Sequence, residues 1–154
     1  QHPIDKHSKQ LIVSKLELFL NYCIRFYDRQ FITRDNSNKG ILERFERVLN
    51  HYFLSDKPQN IGLPSVAWCA EELNLSANYF GDLIKKETGV SAQEYVHSKV
   101  IEVAKLRMMD INKSISEIAY ELGFKYPQHF TRFFKRRIGV APNEYRAAYN
   151  AGKS

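Results

Sequence analysis

The chain has 154 residues, which is enough for one domain with an appended segment and one sizeable hydrophobic core. Apolar residues make up 44% of it and charged residues 26%, and this balance excludes an intrinsically disordered chain. The net charge of +6 favours a polyanionic partner, although many basic proteins bind nothing acidic. No apolar run approaches the ~20 residues of a membrane span and no signal peptide is visible, so we expect a cytoplasmic protein with no membrane partner.

The positive charge is concentrated at the C-terminal end. Residues 1–60 carry 10 basic and 7 acidic residues, residues 61–123 carry 6 and 9, and residues 124–154 carry 7 and 1. From Leu122 to Asn143 there is no Asp or Glu at all. This stretch is therefore the part of the chain that we expect to contact a phosphate backbone.

Residues 1–38 are predicted to form a long N-terminal linker helix, from about Ile4 to Arg34. A heptad-like apolar stripe runs along it, made of Ile12, Leu16, Phe19, Cys23 and Phe26. The stripe could pack on its own domain, pair with a second chain or cover a preceding domain. Because it spans only about two heptads, we expect a mainly monomeric chain with weak homodimerisation through residues 11–31.

The polar run from Asp35 to Gly40 is typical of a loop, and the apolar pattern that follows predicts a helix from Ile41 to Leu54. The stretch from Ser55 to Pro64 has the composition of a linker. We place the start of the main domain at residue 39 and expect it to run to residue 154.

The second half of the chain repeats itself. Residues 80–95 (FGDLIKKETGVSAQEY) match residues 130–145 (FTRFFKRRIGVAPNEY) at an offset of 50, with identical residues at the Phe, Lys, Gly-Val and Glu-Tyr positions. Just upstream, Ala70, Leu73 and Leu75 match Ala119, Leu122 and Phe124 at an offset of 49. A repeat in this detail indicates one structural unit used twice.

Each copy has the pattern of a helix, a tight turn and a second helix, at about residues 64–89 and 114–138. In the second copy Ser114 and Glu117 predict a capping box, Ala119 lets the second helix cross closely, and Gly123 supplies the positive φ of the turn. The first copy has Ala70 and then Asn74, the next-best residue for that backbone conformation.

A continuous helix is predicted between the copies, over about residues 91–109, and a capping box of Ser91 and Glu94 begins it. About 18 helical residues span roughly 27 Å, close to the ~34 Å between successive major grooves on one face of DNA. The expected fold is all-α: two helix-turn-helix motifs joined by a continuous linker helix and preceded by a long helix.

These segments resemble the AraC/XylS family of bacterial transcription regulators over about residues 41–147. The residues that carry the resemblance are Cys69-Ala70, Leu75-Ser76, Tyr79-Phe80, Lys85-Lys86 and Gly89, then Ile118-Ala119, Gly123-Phe124, Phe130, Arg132, Phe134-Lys135, Gly139, Pro142 and Tyr145-Arg146. The resemblance implies a seven-helix domain that binds double-stranded DNA with one recognition helix of each motif in a major groove. It also implies RNA polymerase as a partner and an effector-binding N-terminal domain, which we expect to lie outside this chain because the chain begins at Gln1 rather than Met.

Three positions depart from the family's pattern. Members often carry Arg at the position of Asp82, a long polar residue at that of Gly81, and Arg at that of Val100 on the connecting helix. The resemblance therefore implies that the first motif lacks side chains that commonly contact DNA, and that the two motifs contribute unequally to affinity.

In the second motif the recognition helix is predicted from Pro127 to Arg137, with Phe130, Phe133 and Phe134 packing into the core. Its opposite face carries the candidate base contacts Gln128 and Arg132, which suit adenine and guanine. Candidate phosphate contacts are Lys125, Lys135, Arg136 and Arg137, and Thr131 and His129 are further candidates on this face. The alternative interpretation is a solvated polar face, which the lack of acidic residues disfavours.

In the first motif the recognition helix is predicted from Ser76 to Glu87, with Ser76 as its N-cap. Asn78 is the candidate base contact, and Lys85 and Lys86 are candidate phosphate contacts. Tyr79 and Phe80 are expected to pack, although Tyr79 could also touch a phosphate.

We expect no catalytic site, metal or cofactor. The five His residues and two Cys residues have no metal-ligand spacing, and no base lies near Cys69 in the sequence, so Cys69 is expected to pack. Two alternatives stay open: an architectural protein that binds DNA without strong sequence preference, and a Cys-dependent DNA-repair protein.

Overall fold

The computed structural model describes the backbone of residues 6–152 and the side chains of residues 9–23 and 38–152. The described residues form helices joined by short turns and contain no strand, which confirms the all-α class. The helices are α1 (Lys6–Leu54), α2 (Lys57–Ile61), α3 (Val66–Glu72), α4 (Ala77–Thr88), α5 (Ala92–Met108), α6 (Ile115–Leu122), α7 (Pro127–Ile138) and α8 (Pro142–Ala151). The chain divides into two compact units, an N-terminal segment (residues 1–40) and a body (residues 41–154).

The loop predicted from Asp35 to Gly40 is wrong, because α1 continues through these residues to Leu54. The prediction rested on polar composition alone. None of the six residues is Pro, and a Gly inside a helix costs only about 1 kcal/mol relative to Ala. Helix propagation from the apolar stretches on either side outweighs that cost. The segment predicted to be a linker, from residue 55 to 64, also contains a helix, α2.

The described side chains of the N-terminal segment are mostly exposed. On the predicted stripe Ile12, Leu16 and Phe19 are about half or more exposed, and Cys23 is partly buried. Phe26 lies outside the described side chains. Further exposed apolar residues flank the stripe, among them Leu11, Val13, Leu18, Leu20 and Tyr22. The apolar surface is therefore broader than a narrow coiled-coil seam.

The body contains two hydrophobic clusters, one for each helix-turn-helix motif. The first core buries residues of α3 and α4 together with others: Phe45, Leu49, Cys69, Ala70, Leu73, Phe80, Leu83, Ile84, Ala92 and Val96. The second core buries residues of α6 and α7 together with others: Tyr52, Phe53, Val100, Ile101, Ala104, Met108, Ile118, Ala119, Leu122, Phe130 and Phe134. Buried apolar area of this kind is the main stabilising contribution to each motif.

Two helices contribute to both cores. The end of α1 places Phe45 and Leu49 in the first core and Tyr52 and Phe53 in the second. The first half of α5 likewise lies in the first core and its second half in the second core. The partly buried Trp68 packs against both. The two motifs are therefore joined by shared packing, and α5 is more than a spacer.

The two turns have similar backbone conformations and one hydrogen bond in common. Asn74 has φ 57° and Gly123 has φ 106°, both in the left-handed region. In each turn the next amide donates to the carbonyl of the small helical residue, Leu75 to Ala70 (2.9 Å) and Phe124 to Ala119 (3.0 Å). The positive φ predicted for the two turn residues is therefore confirmed, and Ala70 and Ala119 are both buried.

Gly123 is required for a second reason, which is the close approach of the α2–α3 loop. A Cβ built on Gly123 would lie 2.6 Å from the carbonyl carbon of Gly62 and 2.9 Å from the nitrogen of Leu63. The Tyr52 hydroxyl donates to the Gly62 carbonyl at 2.6 Å and holds this loop in place. The loop thus packs directly on the turn of the second motif.

Candidate nucleic-acid interface

α7 has a buried aromatic face and an exposed polar face. Pro127 occupies the first turn, where its missing N–H leaves no helix hydrogen bond unmade, and Gly139 ends the helix at φ 96°. Phe130 and Phe134 are fully buried, as predicted, whereas Phe133 is only partly buried. The buried pair fixes the rotation of the helix and so determines which residues point outward.

The exposed face of α7 brings most of the second-motif candidates together. Gln128, Arg132, Lys135 and Arg136 are exposed at helical spacings of four, three and one residues, so they occupy one side of the helix. His129 is exposed beside them and its ring contacts that of Tyr126, at a centroid distance of 5.2 Å. Lys125 is exposed in the turn before the helix, with its ammonium 5.6 Å from the Tyr126 ring.

Two predicted residues of this helix are placed differently. The Thr131 hydroxyl donates to the Pro127 carbonyl at 3.2 Å, and the side chain is partly buried. Arg137 is turned toward α5, where its Nη2 donates to the Glu94 carboxylate at 2.9 Å. These two side chains are therefore less available to a ligand than their neighbours.

The first-motif candidates also lie on an exposed face. Ser76 caps α4 by accepting a hydrogen bond from the Tyr79 amide (3.2 Å), as predicted. Asn78, Lys85 and Lys86 are exposed. The expectation that Tyr79 packs is wrong, because its side chain is 53% exposed, whereas Phe80 is fully buried. Tyr79 thus belongs to the same outer surface as Asn78.

The recognition helices correspond residue by residue at the offset of 50 that the sequence shows. α4 spans residues 77–88 and α7 spans residues 127–138. Asn78 therefore corresponds to Gln128, Asp82 to Arg132, and the lysine pair Lys85-Lys86 to Lys135-Arg136, and all of these residues are exposed. An exposed carboxylate on one helix thus occupies the position of an exposed guanidinium on the other.

The three departures from the family pattern have different consequences in the structure. Asp82 is exposed on the outer face of α4, and a Cβ added to Gly81 would meet no atom within 4 Å. Val100, in contrast, is fully buried in the second core. Its side chain therefore packs at that point of α5 and is not exposed to a ligand.

The capping boxes predicted for α5 and α6 differ in outcome. At α6 the Ser114 hydroxyl accepts from the Glu117 amide, and the Glu117 carboxylate accepts from the Ser114 amide, so the box is complete. At α5 the Ser91 hydroxyl accepts from the Glu94 amide at 3.1 Å, but the Glu94 carboxylate is bonded to Arg137 instead. Sequence reasoning missed this pairing because 43 residues separate the two partners.

A cleft next to the start of α7 also escaped sequence reasoning. It has a volume of about 570 Å³ and lies between α2 and the turn of the second motif. Its lining includes the polar residues Gln59, Asn60, Tyr120 and Lys125. Only the packing of α2 on α6, which a linker-like composition does not reveal, brings these side chains together.

The contacts of Cys69 and His97 bear on chemistry at the motifs. Cys69 is fully buried and burial raises the pKa of its thiol to about 12, so it is not a thiolate at neutral pH. Partial burial, followed by the charge of Arg137, lowers the pKa of His97, while Glu94 opposes that shift.

Among the described residues no group of His, Cys, Asp and Glu side chains could hold a metal ion. Within the same residues no helix is both long and apolar enough to cross a membrane.

Two tandem helix-turn-helix motifs, each with an exposed polar face on its second helix, define a class of DNA-binding domain. Residues 69–148 match the family model described as a helix-turn-helix domain. The chain belongs to the AraC/XylS family of bacterial transcription regulators and carries the DNA-binding helix-turn-helix domain of that family.

Individual relatives agree with this assignment. The chain is 38% identical over 125 residues to the transcriptional regulatory protein YesN of Bacillus subtilis, covering 79% of this chain and 32% of YesN. It is 31% identical over 126 residues to the transposon Tn10 TetD protein of Escherichia coli, covering 82% of each. The C-terminal domain of AraT, a response regulator from Geobacillus stearothermophilus, superposes with a TM-score of 0.60 at 28% identity, covering 70% of this chain and 84% of that domain. The chain spans less than half the length of the Bacillus subtilis relatives that it matches.

Proposed function

We propose that this chain binds specific sites in double-stranded DNA by placing α4 and α7 in successive major grooves. The observation that carries the proposal is the correspondence between the exposed positions of the two helices, at residues 78, 82, 85 and 86 and at residues 128, 132, 135 and 136. Core aromatic residues on the opposite face fix the rotation of each helix. A surface repeated in this register suits a ligand that itself repeats, as the grooves of a duplex do.

In the second motif, Gln128 and Arg132 are proposed to contact bases. Amide and guanidinium groups can each make two hydrogen bonds to one base edge, Gln to adenine and Arg to guanine. Lys125, Lys135 and Arg136 are proposed to contact phosphates, since their charges position the protein without discriminating sequence. His129 lies beside this surface and can donate a hydrogen bond there.

The first motif is proposed to contribute less affinity. Asn78 can contact an adenine, and Lys85 and Lys86 can contact phosphates, but the exposed Asp82 repels the same backbone. The basic residues in the last turn of α4 also stabilise the C-terminal end of that helix, which is sufficient to explain them without a ligand. Substitutions made in one motif at a time, with DNA affinity as the readout, therefore test this unequal contribution.

The length of the linker helix α5 determines the distance between the two motifs in the proposed complex. α5 has 17 residues and so spans about 25 Å. Its first half belongs to the first core and its second half to the second, so its length determines how far apart the motifs lie. That length suits helices that enter grooves about 34 Å apart along the duplex.

We further propose that the chain acts within a longer regulator that has an effector-binding N-terminal domain and contacts RNA polymerase. The exposed apolar residues at positions 11–22 support weak self-association through residues 11–31. Sedimentation of this chain and of a version beginning at Lys39 tests the proposed self-association. A tight dimer that is lost on truncation would show that this segment is a strong dimer seam rather than a weak one.

The proposed function is tested by selecting bound sequences from a random duplex library. A specific regulator enriches a motif with two conserved blocks about one helical turn apart, and binds it typically 10³–10⁷-fold more tightly than random DNA. Arg132→Ala should relax the preference at one base position, with Arg136→Ala as the matched control that leaves the motif unchanged. Binding without any enriched motif would identify an architectural protein instead.

A further inference from the structure

Arg137 differs from the other basic residues of α7 in its surroundings. Lys135 and Arg136 are exposed, whereas only 23% of the Arg137 side chain is accessible. Its guanidinium carbon lies 5.2 Å from the centre of the Phe133 ring, so the group is stacked on its own helix. A phosphate contact would need this group to face outward, as its neighbours do.

The guanidinium of Arg137 is held by two residues of α5. Nη2 donates to both carboxylate oxygens of Glu94, at 2.9 and 3.0 Å, and lies 2.8 Å from Nδ1 of His97. The His97 ring in turn contacts the Phe133 ring edge-on, with the ring centroids 5.2 Å apart. An isolated exposed ion pair contributes little to stability. Here stacking and a second hydrogen bond restrict the same group to one orientation.

These contacts connect the two motifs. Glu94 and His97 lie in the first two turns of α5, where Ala92 and Val96 are buried in the first core. Arg137 lies in the last turn of the recognition helix of the second motif. The corresponding position of the first motif, at the offset of 50, is Glu87, so the contact belongs to one copy of the repeat. It therefore ties α7 to the part of α5 that is built into the first motif.

We propose that Arg137 is a positioning residue that fixes α7 relative to the first motif and thereby determines the spacing preferred between the two halves of the DNA site. The spacing role rests on the proposed binding to two successive grooves, whereas the positioning role does not require DNA. Arg137 thus acts through Glu94 and His97 rather than through a phosphate.

The positioning role is tested on the free protein by measuring a distance between spin labels on α4 and α7. The labels are attached at Lys86→Cys and Lys135→Cys in a Cys23→Ser background, since the buried Cys69 does not react. Arg137→Gln should broaden or shift the distance distribution, and the control Arg136→Gln should leave it unchanged. A distribution that stays narrow in Arg137→Gln would overturn the inference whatever the protein does with DNA.

The spacing role is tested with unlabelled protein on the selected duplex and on versions with one base pair added or removed between its two blocks. The original chain should bind the altered spacings at least tenfold more weakly, and Arg137→Gln should reduce that discrimination to a few-fold. Its salt slope should be unchanged, whereas that of Arg136→Gln should fall by about one unit. A slope that falls in Arg137→Gln while the spacing preference persists would make Arg137 a phosphate contact.

A charge exchange gives an independent readout. Arg137→Glu places two carboxylates together and should abolish the spacing preference, and adding Glu94→Arg should restore it by re-forming the pair. A residue that merely contacts phosphate would not be rescued by a change on α5. If the original chain enriches no sequence at all, the proposed function fails, but the spin-label result still decides whether Arg137 positions α7.

Discussion

The two helix-turn-helix motifs share a backbone and differ in surface chemistry. Their recognition helices have the same length and register, and each is ended by a glycine in the left-handed region. The segment from residue 125 to 138 nevertheless carries five basic and no acidic residues, whereas the segment from 75 to 88 carries two of each. The repeat thus preserves the residues that build the fold, while the residues that face a ligand have diverged.

The turns differ as well, in what surrounds them. Asn74 and Gly123 both have positive φ, but Asn74 is exposed, whereas Gly123 lies against the backbone of Gly62. The turn of the second motif is therefore packed against the α2–α3 loop. Substitutions at corresponding positions of the two motifs should reveal this asymmetry, in stability for the turns and in affinity for the recognition helices.

The largest effect is expected at the second turn. Gly123→Ala should destabilise the protein by about 3 kcal/mol or more, because the new Cβ is strained at φ 106° and overlaps the Gly62 backbone. Asn74→Gly, at the matching position of the first motif, should change stability by less than about 0.5 kcal/mol, since Gly adopts φ 57° freely. Denaturant unfolding monitored by circular dichroism measures both.

A third substitution separates the cost of backbone strain from the cost of steric overlap with Gly62. Gly139 has φ 96°, but a Cβ added there would meet no atom within 4 Å. Gly139→Ala should therefore cost only the conformational part, about 1–2 kcal/mol. If Gly123→Ala and Gly139→Ala cost the same, the close approach of Gly62 is not a significant constraint.

The next largest effect compares Arg132 with Asp82, which occupy the same position of the two helices. Arg132→Ala should cost about 1–3 kcal/mol on the preferred duplex, provided that its guanidinium makes two hydrogen bonds to one base. Asp82→Arg should tighten binding and steepen its salt dependence, because it replaces a repulsive charge beside the phosphates. Fluorescence anisotropy titrations at several salt concentrations measure both. Weaker binding by Asp82→Arg at fixed salt would contradict the proposed orientation of α4.

A smaller effect is expected at Lys85 and Lys135, which occupy corresponding positions of α4 and α7. Lys135→Ala should weaken binding to every sequence alike and lower the salt slope by about one unit. Lys85→Ala should lower the slope by less, since Asp82 already offsets positive charge on that helix. The same titrations on selected and random duplexes give the result. Equal changes in slope would show that the two motifs engage the backbone equally.

Local sequence patterns predicted much of this fold because the features concerned lie close together in the chain. The completed capping box of Ser114 and Glu117 and the turn residues at 74 and 123 each follow from a few adjacent residues. The repeat, at its constant offset of 50, predicted where the two recognition helices lie. Residues two positions away from the buried Phe130 and Phe134 lie on the opposite side of the helix, and this predicted that Gln128 and Arg132 face outward.

What the sequence could not predict depends on contacts between distant residues. Glu94 has the right spacing to complete a capping box, and only the fold shows that Arg137 takes its carboxylate. Val100 is buried by the second core, which residues from several helices build. The continuation of α1 through residues 35–40 likewise reflects helix propagation between apolar stretches rather than the polarity of those six residues.

The smallest expected effect concerns the pH dependence of stability that His97 contributes through its contact with Arg137. His97 corresponds at the offset of 50 to Ala147, so the effect belongs to a single copy of the repeat. Burial and Arg137 lower the pKa of His97 in the folded protein, while in the unfolded chain it stays near 6.5. The unfolded chain therefore takes up a proton first as the pH falls. The stabilisation associated with neutral His97 should be present above pH 6.5 and lost as the pH falls through the lower pKa of the folded state.

The variant His97→Gln keeps a hydrogen-bonding side chain but cannot take up the proton. Its stability relative to the original chain should improve as the pH is lowered from 7.5 to 5, because only the original chain loses the contribution of His97. Unfolding midpoints in denaturant across that range, for both proteins, give the comparison. Protonation also removes the lone pair at Nδ1 that faces Arg137, so the spin-label distribution should broaden over the same interval in the original chain. A pH dependence of stability identical in both proteins would mean that folding does not lower the pKa of His97.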